Sequence, residues 1–255
     1  MPTFKLTLAY DGTDLVGWQR QAEGTSVQGL VEDALAELDG RPVAVAAAGR
    51  TDAGVHALGQ VAAVTLERSI AAGTLVRALN VRLPPAVRVL EAVDAPRDFH
   101  PRFHAHSKTY RYRLWNANII SPFERAYAWH VLDPPLDVDA MHEAALQVVG
   151  VHDFAAFQGT GAETATTERE VFSSSVARPM DSPLGPAAAL ITYDISGTGF
   201  LRHMVRNIVG TLVEVGRRRR PPDWVAEVMA SRRRAEAGRT APAEGLFLVR
   251  VDYEG

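Results

Sequence analysis

The chain has 255 residues, of which 47% are hydrophobic and 22% are charged, and its formal net charge is -3. This is the composition of an ordinary soluble globular protein, and the length allows one large domain or two smaller ones. The sequence contains no cysteine, which excludes disulfides and thiolate metal sites and suits a reducing compartment.

The beginning of the chain and its hydropathy predict a cytoplasmic protein. The first strand-like segment begins at Thr3, so we expect no basic and apolar signal sequence before it. No apolar run reaches the length that a transmembrane helix needs, and we therefore expect no membrane association.

Charge is unevenly distributed along the sequence. Residues 197–239 contain ten arginines against four acidic residues, and residues 97–113 contain five basic residues against Asp98 alone. Two basic tracts in a mildly acidic protein favour a polyanionic partner such as a nucleic acid. A genome-wide preference for arginine is the alternative, because the only lysines are Lys5 and Lys108.

In the first half of the chain, predicted strands and helices alternate. TFKLTLAY (3–10) alternates polar and apolar residues and indicates a half-buried strand. Residues 25–40 indicate a helix that stops at Gly40. Its first turn offers a capping box formed by Thr25 and Gln28. Further strands are predicted at 42–49, 60–67 and 86–95, and a second helix at 70–83.

The second half begins with another alternating strand, KTYRYRLW (108–115). A period of two places one set of side chains together, Lys108, Tyr110, Tyr112 and Leu114, and turns Arg111 and Arg113 to the other face. Helices are predicted at 135–150, 199–216 and 222–238, and strands at 186–195 and 245–253.

This order of elements predicts an α+β fold, with a mostly antiparallel sheet flanked by helices, rather than a doubly wound parallel sheet. The two halves have a similar order of elements, so an internal duplication is possible. We expect two similar α+β domains, an N-terminal one at residues 1–104 and a C-terminal one at residues 105–255.

Asp52 lies on the glycine-rich stretch AAAGRTDAGVHALGQVA (46–62), between two predicted strands. Turn chemistry alone explains TDAG, because aspartate bonds locally to the backbone and glycine adopts positive φ. Arg50 supports a functional alternative, since a nearby cation would keep the carboxylate ionised, as a nucleophile or base requires. For His56 we expect only the role of a hydrogen-bonded structural histidine.

Tyr110 lies among cations, near Arg102, Lys108 and Arg111. Aromatic rings interleaved with cations are what unstacked bases bind, so Tyr110 is a candidate for stacking on a nucleotide. Packing in the core is the alternative, and it is the interpretation that we prefer for Tyr112.

Arg202 and Arg206 are four residues apart and line one flank of the helix predicted at 199–216. They either form a solvated helix flank or bind phosphate and pair with a carboxylate. The GTG before this helix could form an anion-binding helix terminus.

Several other kinds of site are not supported by the sequence. His100, His104 and His106 have no nearby carboxylate or cysteine that would complete a metal shell, so we expect no metal. A dinucleotide fingerprint fails because Arg202 stands in place of its third glycine, and no serine occupies a nucleophile elbow.

Four segments resemble, in this order, the tRNA pseudouridine synthase A family. They are YDGTDLVGWQRQAEGTSVQGLVEDAL (10–35), GRTDAGVHALGQVA (49–62), FHPRFHAHSKTYRYRL (99–114) and GTGFLRHMVRNIVGTLVEVG (197–216). The closing GLFLVRVDY also fits. The resemblance covers nearly the whole chain and is most specific at residues 49–57.

The resemblance implies an isomerase that converts uridine to pseudouridine in the anticodon stem-loop of tRNA, at positions 38 to 40. Asp52 is the implied catalytic residue, either adding to the anomeric carbon of the ribose or taking the neighbouring ribose proton. Tyr110 is implied to stack on the target base and to help remove a proton from it. Arg206 is implied to pair with the aspartate, and Arg50 to fill the space that the flipped base leaves.

The same resemblance implies tRNA and a second copy of the chain, in a homodimer, as partners, and an active-site cleft between the two domains. An isomerisation needs no redox cofactor, energy source or metal, so we expect no cofactor. Glycoside hydrolysis normally uses two carboxylates, whereas this site offers one. A noncatalytic RNA-binding protein and a nucleoside or glycoside hydrolase are the alternatives.

Overall fold

The computed structural model describes residues 1–132, 134–161, 164–179 and 189–253. Most of its strand pairs are antiparallel and helices flank the strands, so the predicted α+β class is confirmed. Among the described residues, no helix is both long enough and apolar enough to cross a lipid bilayer.

The strands are β1 (Thr3–Tyr10), β2 (Ala46–Ala47), β3 (His56–Thr65), β4 (Val87–Ala95), β5 (Ala105–Trp115), β6 (Trp129–His130), β7 (Gly150–Asp153), β8 (Glu168–Ala177), β9 (Leu190–Gly197) and β10 (Leu246–Tyr253). The α-helices are α1 (Val27–Asp39), α2 (Ala72–Arg82), α3 (Val138–Leu146), α4 (Met204–Gly216) and α5 (Trp224–Ser231). The chain forms two compact units, Met1–His106 together with the residues from Phe247 onward, and Ser107–Leu246. The domain boundaries predicted from the sequence stay a prediction.

The first unit contains strands in the order β4-β1-β3-β10, with β2 beside β3. β1 pairs antiparallel with β3 and β4, and β10 runs parallel to β3 at Phe247 and Leu248. In β1, Phe4, Leu6 and Leu8 are fully buried, because alternate residues of a strand share one face.

The second unit contains strands in the order β5-β9-β8-β7, with β6 parallel to β5. The predicted alternation of β5 is confirmed: Tyr110, Tyr112 and Leu114 are buried, whereas Arg111 is exposed. The Arg111 guanidinium donates to Asp194 on β9 at 2.8 Å. The core of this unit lies between these strands, α3 and α4.

The start of α1 differs from the predicted capping box. Ser26, not Thr25, is the N-cap, and its hydroxyl accepts from the Gly29 amide at 3.2 Å. The Gln28 side chain instead accepts from the Arg20 amide at 3.0 Å. The predicted stop at Gly40 is confirmed, because Gly40 adopts φ 75° and its amide closes the helix.

The strand predicted at residues 42–49 is reduced to the two residues of β2. The backbone at Val45 bonds to side chains of α1 instead of to a strand. Its amide donates to Glu32 Oε1 at 3.3 Å, and its carbonyl accepts from Gln28 Nε2 at 3.2 Å. Alternating burial therefore continues in this segment without strand pairing.

Helix α4 begins at Met204, five residues later than predicted. His203 adopts φ 60°, in the left-handed region that a right-handed helix does not accommodate. Arg202 consequently lies in the turn before α4, and the prediction that Arg202 and Arg206 share a helix flank is wrong.

The other differences in the second unit are local. α5 ends at Ser231 because Arg232 adopts φ 55°, so the helix predicted at 222–238 is shortened. Strands β6, β7 and β8 were not predicted. The first three residues of the strand predicted at 186–195 lie outside the described residues.

Candidate active site

Asp52 lies on the hairpin connection between β2 and β3, where it was predicted. The Val55 amide donates to the Asp52 carbonyl at 3.1 Å, and Gly54 adopts φ 76°. These features make a tight turn. Asp52 itself is partly exposed, whereas the preceding Thr51 is buried. The segment is therefore an ordinary turn that also holds the Asp52 carboxylate at a partly exposed position.

The segment after β1 packs against this turn backbone to backbone. The Trp18 amide donates to the Thr51 carbonyl at 3.0 Å, and the Gly54 amide donates to the Leu15 carbonyl at 3.3 Å. Gly17 adopts φ 100°, and a Cβ there would lie 2.5 Å from the Thr51 carbonyl oxygen. The glycine of GWQ thus permits the close approach that fixes the turn.

Polar side chains of β1 and β3 support the same turn from inside the unit. Tyr10 Oη lies 2.8 Å from Thr51 Oγ1, and Gln60 Nε2 donates to the Gly49 carbonyl at 2.9 Å. Burial raises the pKa of Tyr10 to about 12. The sequence analysis missed Tyr10 and Gln60, although the alternation of β1 already places Tyr10 on its buried face.

His56 has the surroundings of a structural histidine. It is 1% exposed, and its Nδ1 accepts from the Gly12 amide at 3.0 Å. Its ring stacks on Phe247 with centroids 4.6 Å apart, and the Asp11 carboxylate lies 3.2 Å from Nδ1. This agrees with the hydrogen-bonded structural role that the sequence predicted.

Arg50 is exposed and lies two residues from Asp52. Within the described part of the chain, its guanidinium forms no hydrogen bond or ion pair. Its guanidinium is therefore accessible to a phosphate or a base. Its role in substrate binding stays a prediction.

The other predicted site residues belong to the second unit. Tyr110 lies on β5, opposite Ile195 of β9, and is 9% exposed. Its ring contacts Phe200 edge to face, with centroids 5.2 Å apart. Tyr112 is fully buried and donates to the Pro242 carbonyl at 2.7 Å, which confirms that it belongs to the core.

Arg206 is anchored in the first turn of α4. Its Nε donates to the Ala241 carbonyl at 2.7 Å, and the Ala241 amide donates back to the Arg206 carbonyl at 3.1 Å. The neighbouring Asn207 is fully buried and accepts from Arg234 and Thr240, at 3.0 Å and 2.6 Å. This network holds the segment around Ala241 beside Arg206.

Arg202 is exposed on the turn before α4, and its Nη1 donates to the Thr160 carbonyl at 2.9 Å. The backbone carbonyl of Arg202 accepts from the Gly159 amide at 2.8 Å. Arg202 is thus held to the segment that precedes β8, separately from the anchor of Arg206.

The arginine run 217–220 is engaged within its own unit. Glu214 pairs with two of these arginines, at 3.4 Å and 3.1 Å, and Asp137 pairs with a third at 3.1 Å. The fourth guanidinium lies over the Trp224 ring, 5.0 Å from its centroid. Much of the charge of this tract is therefore already compensated.

The loop between β4 and β5 carries less compensated charge. Arg97 and Arg102 are exposed, and neither forms an ion pair among the residues that the structure describes. Phe103 is 74% exposed, and the His100 ring stacks on it at 4.2 Å. The described residues contain no group of three or more potential metal ligands.

Comparison with known proteins agrees with the resemblance of the four segments. The family model described as tRNA pseudouridine synthase matches residues 7–104 and 144–254. A tRNA pseudouridine synthase A of Myxococcus xanthus is 47% identical over 253 residues, which cover 99% of this chain and 92% of the relative. Another, of Moorella thermoacetica, is 47% identical over 255 residues, covering 99% and 100%. The chain therefore belongs to the tRNA pseudouridine synthase A family.

Proposed function

We propose that the chain is a tRNA pseudouridine synthase, an isomerase that modifies uridines in the anticodon stem-loop, with Asp52 as its catalytic residue. The observation that carries the proposal is the partly exposed Asp52 side chain on a turn fixed by backbone bonds to Leu15 and Trp18. A catalytic group that must reach one atom of a bound substrate has to be held on a rigid part of the backbone.

The reaction breaks the bond between N1 of uracil and the anomeric carbon of the ribose, and joins that carbon to C5 of the same base. C5 loses its proton and N1 gains one, so the atoms balance without a co-reactant. Asp52 either adds to the anomeric carbon or removes the neighbouring ribose proton. Both routes need the ionised carboxylate.

Residues of the second unit complete the proposed site, in a cleft between the two units. Tyr110 stacks on the target base and assists loss of the C5 proton, while Arg206 pairs with Asp52. Arg50 fills the space that the flipped base leaves, and its accessible guanidinium supports this role. Stacking and phosphate contacts, including one from Arg202, offset a flipping cost of a few kcal/mol.

The proposed partners are tRNA and a second copy of the chain, and the proposed location is the cytoplasm. The exposed cations Arg97 and Arg102 support a polyanionic substrate. If the chain is a homodimer, light scattering at micromolar concentration should give twice the mass of one chain. The mass of a single chain at that concentration would contradict the proposed dimer.

Replacement of the catalytic carboxylate tests the proposal. Asp52→Ala should abolish pseudouridine formation, measured as tritium release from C5-labelled uridine in tRNA, and should leave tRNA binding largely intact. Asp14→Ala, which removes an exposed aspartate of the same unit, should react at the wild-type rate. Pseudouridine formation by the Asp52→Ala variant would show that Asp52 is not the catalytic residue.

The same assay separates the alternative functions. Wild-type protein that binds tRNA without releasing tritium would indicate a noncatalytic RNA-binding protein. Release of free uracil would indicate a hydrolase.

A further inference from the structure

Three buried polar side chains are connected by hydrogen bonds at the turn that carries Asp52. Tyr10, Thr51 and Gln60 are 4%, 8% and 0% exposed. Tyr10 is the last residue of β1, and Gln60 lies opposite Leu8 on the adjacent β3. Such interior strand positions are ordinarily apolar, because a buried polar group is costly unless it is hydrogen-bonded.

The three side chains form one connected chain of hydrogen bonds. Gln60 Nε2 donates to the Gly49 carbonyl at 2.9 Å and to Tyr10 Oη at 3.4 Å. Tyr10 Oη and Thr51 Oγ1 lie 2.8 Å apart, within hydrogen-bond distance. The network thus bonds to the turn at Gly49 and at Thr51, the residues on either side of Arg50. Thr51 directly precedes Asp52.

Backbone hydrogen bonds also hold this hairpin, in addition to the side-chain network. Its turn is already closed by the Val55 amide and held from outside by the Trp18 amide. A fully satisfied buried network fixes a single arrangement of the groups that it joins. Here the network joins Thr51, the residue that precedes Asp52, to Tyr10 of β1 and Gln60 of β3.

We propose that Tyr10, supported by Gln60, is a positioning residue that sets the direction of the Asp52 carboxylate through Thr51. The inference rests on the proposed function. Because burial raises the pKa of Tyr10 to about 12, its hydroxyl stays protonated throughout the neutral range and remains available for the hydrogen bond to Thr51.

Tyr10→Phe tests the inference, because it removes the hydroxyl and keeps the ring packed near Trp18, 6.3 Å away between centroids. A misplacement of about 1 Å costs on the order of a hundredfold in rate, so we expect kcat to fall between about tenfold and a hundredfold. The KM for tRNA should stay unchanged, because Tyr10 is only 4% exposed and offers a substrate almost no surface to contact.

Tyr193→Phe is the matched control. Tyr193 is also fully buried in a strand, and its hydroxyl lies 3.0 Å from Ser174 Oγ, far along the chain from Asp52. It should lower the melting temperature about as much as Tyr10→Phe and leave kcat unchanged. Equal kcat losses in the two variants, or no loss in Tyr10→Phe, would overturn the positioning role.

A double-mutant cycle tests the route through Thr51. Thr51→Val should lower kcat as Tyr10→Phe does, Thr51→Ser should restore it, and the double variant should be no slower than the slower single variant. Multiplying losses would show that the two residues act separately and would overturn the route. Wild-type protein without turnover would instead overturn the proposed function, so the two failures are distinguishable.

Discussion

Gly17 shows how a single missing side chain shapes the site. Its φ of 100° lies in a region that residues with a Cβ rarely adopt, and its backbone lies directly against Thr51. A Cβ at this position would meet backbone atoms of Thr51, Asp52 and Ala53 at 2.5 to 3.0 Å. Backbone atoms cannot rotate away, so the turn itself would have to move.

We therefore expect Gly17→Ala to lower both stability and turnover. The positive φ alone should cost about 1 kcal/mol or more in the free energy of unfolding, measured by urea titration. The displaced turn should reduce kcat by a further, separate effect.

Gly40→Ala is the control for this prediction. Gly40 also has positive φ, at 75°, but no heavy atom beyond its own local backbone lies within 4 Å of the position that a Cβ would occupy there. The variant should lose stability and keep wild-type turnover. Equal turnover in the two variants would show that the close approach at Gly17 does not matter for the chemistry.

Single residues also show where sequence reasoning works. Asp52 could be located because glycines and alternating segments marked a turn between strands, and the family segments then pointed to the same residue. Tyr10 and Gln60 could not be assigned, because their importance depends on contacts with Thr51 and Gly49 that only folding creates.

At the level of elements, α3 has an N-cap whose strength should depend on pH. Asp137 accepts from the Ala140 amide at 3.1 Å and pairs with Arg218 at 3.1 Å. The backbone hydrogen bond from Ala140, followed by the nearby Arg218, holds the pKa of Asp137 below its ordinary value. The folded state is therefore favoured when this carboxyl is ionised.

The stability that Asp137 contributes should be present above its unfolded pKa, about 3.9, and should be lost as the pH falls through its lower folded pKa. Asp137→Ala should cost about 1 kcal/mol of unfolding free energy at neutral pH, and this cost should shrink below about pH 4. Urea titrations at several pH values measure it.

Glu143→Gln, which removes a charge at an exposed position of the same helix, is the control and should change the unfolding free energy at neutral pH by less than about 0.5 kcal/mol. A cost of Asp137→Ala that stays constant from neutral pH down to about pH 3 would contradict the role assigned to its charge.

The elements also show where patterns mislead. The segment at 42–49 predicted a longer strand, and Val43 and Val45 are indeed buried. The sequence does not reveal which partner the backbone bonds to, however, and at Val45 the partners are side chains of α1. The helix predicted at 199–216 was correct in its interior and at its end, Gly216. Its start was not, because the left-handed His203 leaves no trace in the spacing of apolar residues.

At the scale of the whole molecule, the number of arginines is a poor guide to where RNA binds. The run 217–220 is the densest cationic segment of the sequence, yet Glu214 and Asp137 already pair with three of its members. The loop between β4 and β5 has only two arginines, Arg97 and Arg102, but both are exposed and form no ion pairs among the described residues. A phosphate that replaced an existing carboxylate partner would gain little.

We therefore expect the double variant Arg97→Gln/Arg102→Gln to weaken tRNA binding. The slope of log affinity against log salt should flatten by about 0.7 to 0.9 for each phosphate that the variant no longer neutralises. Arg218→Gln/Arg219→Gln removes the same charge and should change the slope less. The reverse order, measured by salt titration of binding, would assign the RNA-binding surface to the arginine run.

Residues 247–253 of β10 belong to the first unit, although residues 107–246 separate them from the rest of that unit. A ribosome delivers the chain from its N-terminus at roughly 5 to 20 residues per second. The nascent first unit therefore forms before β10 can pair with β3 at His56 and Ala57, which leaves that edge of β3 open to mispairing. Phe247, which stacks on His56, is synthesised only after the whole second unit, so a product terminated before residue 247 lacks it.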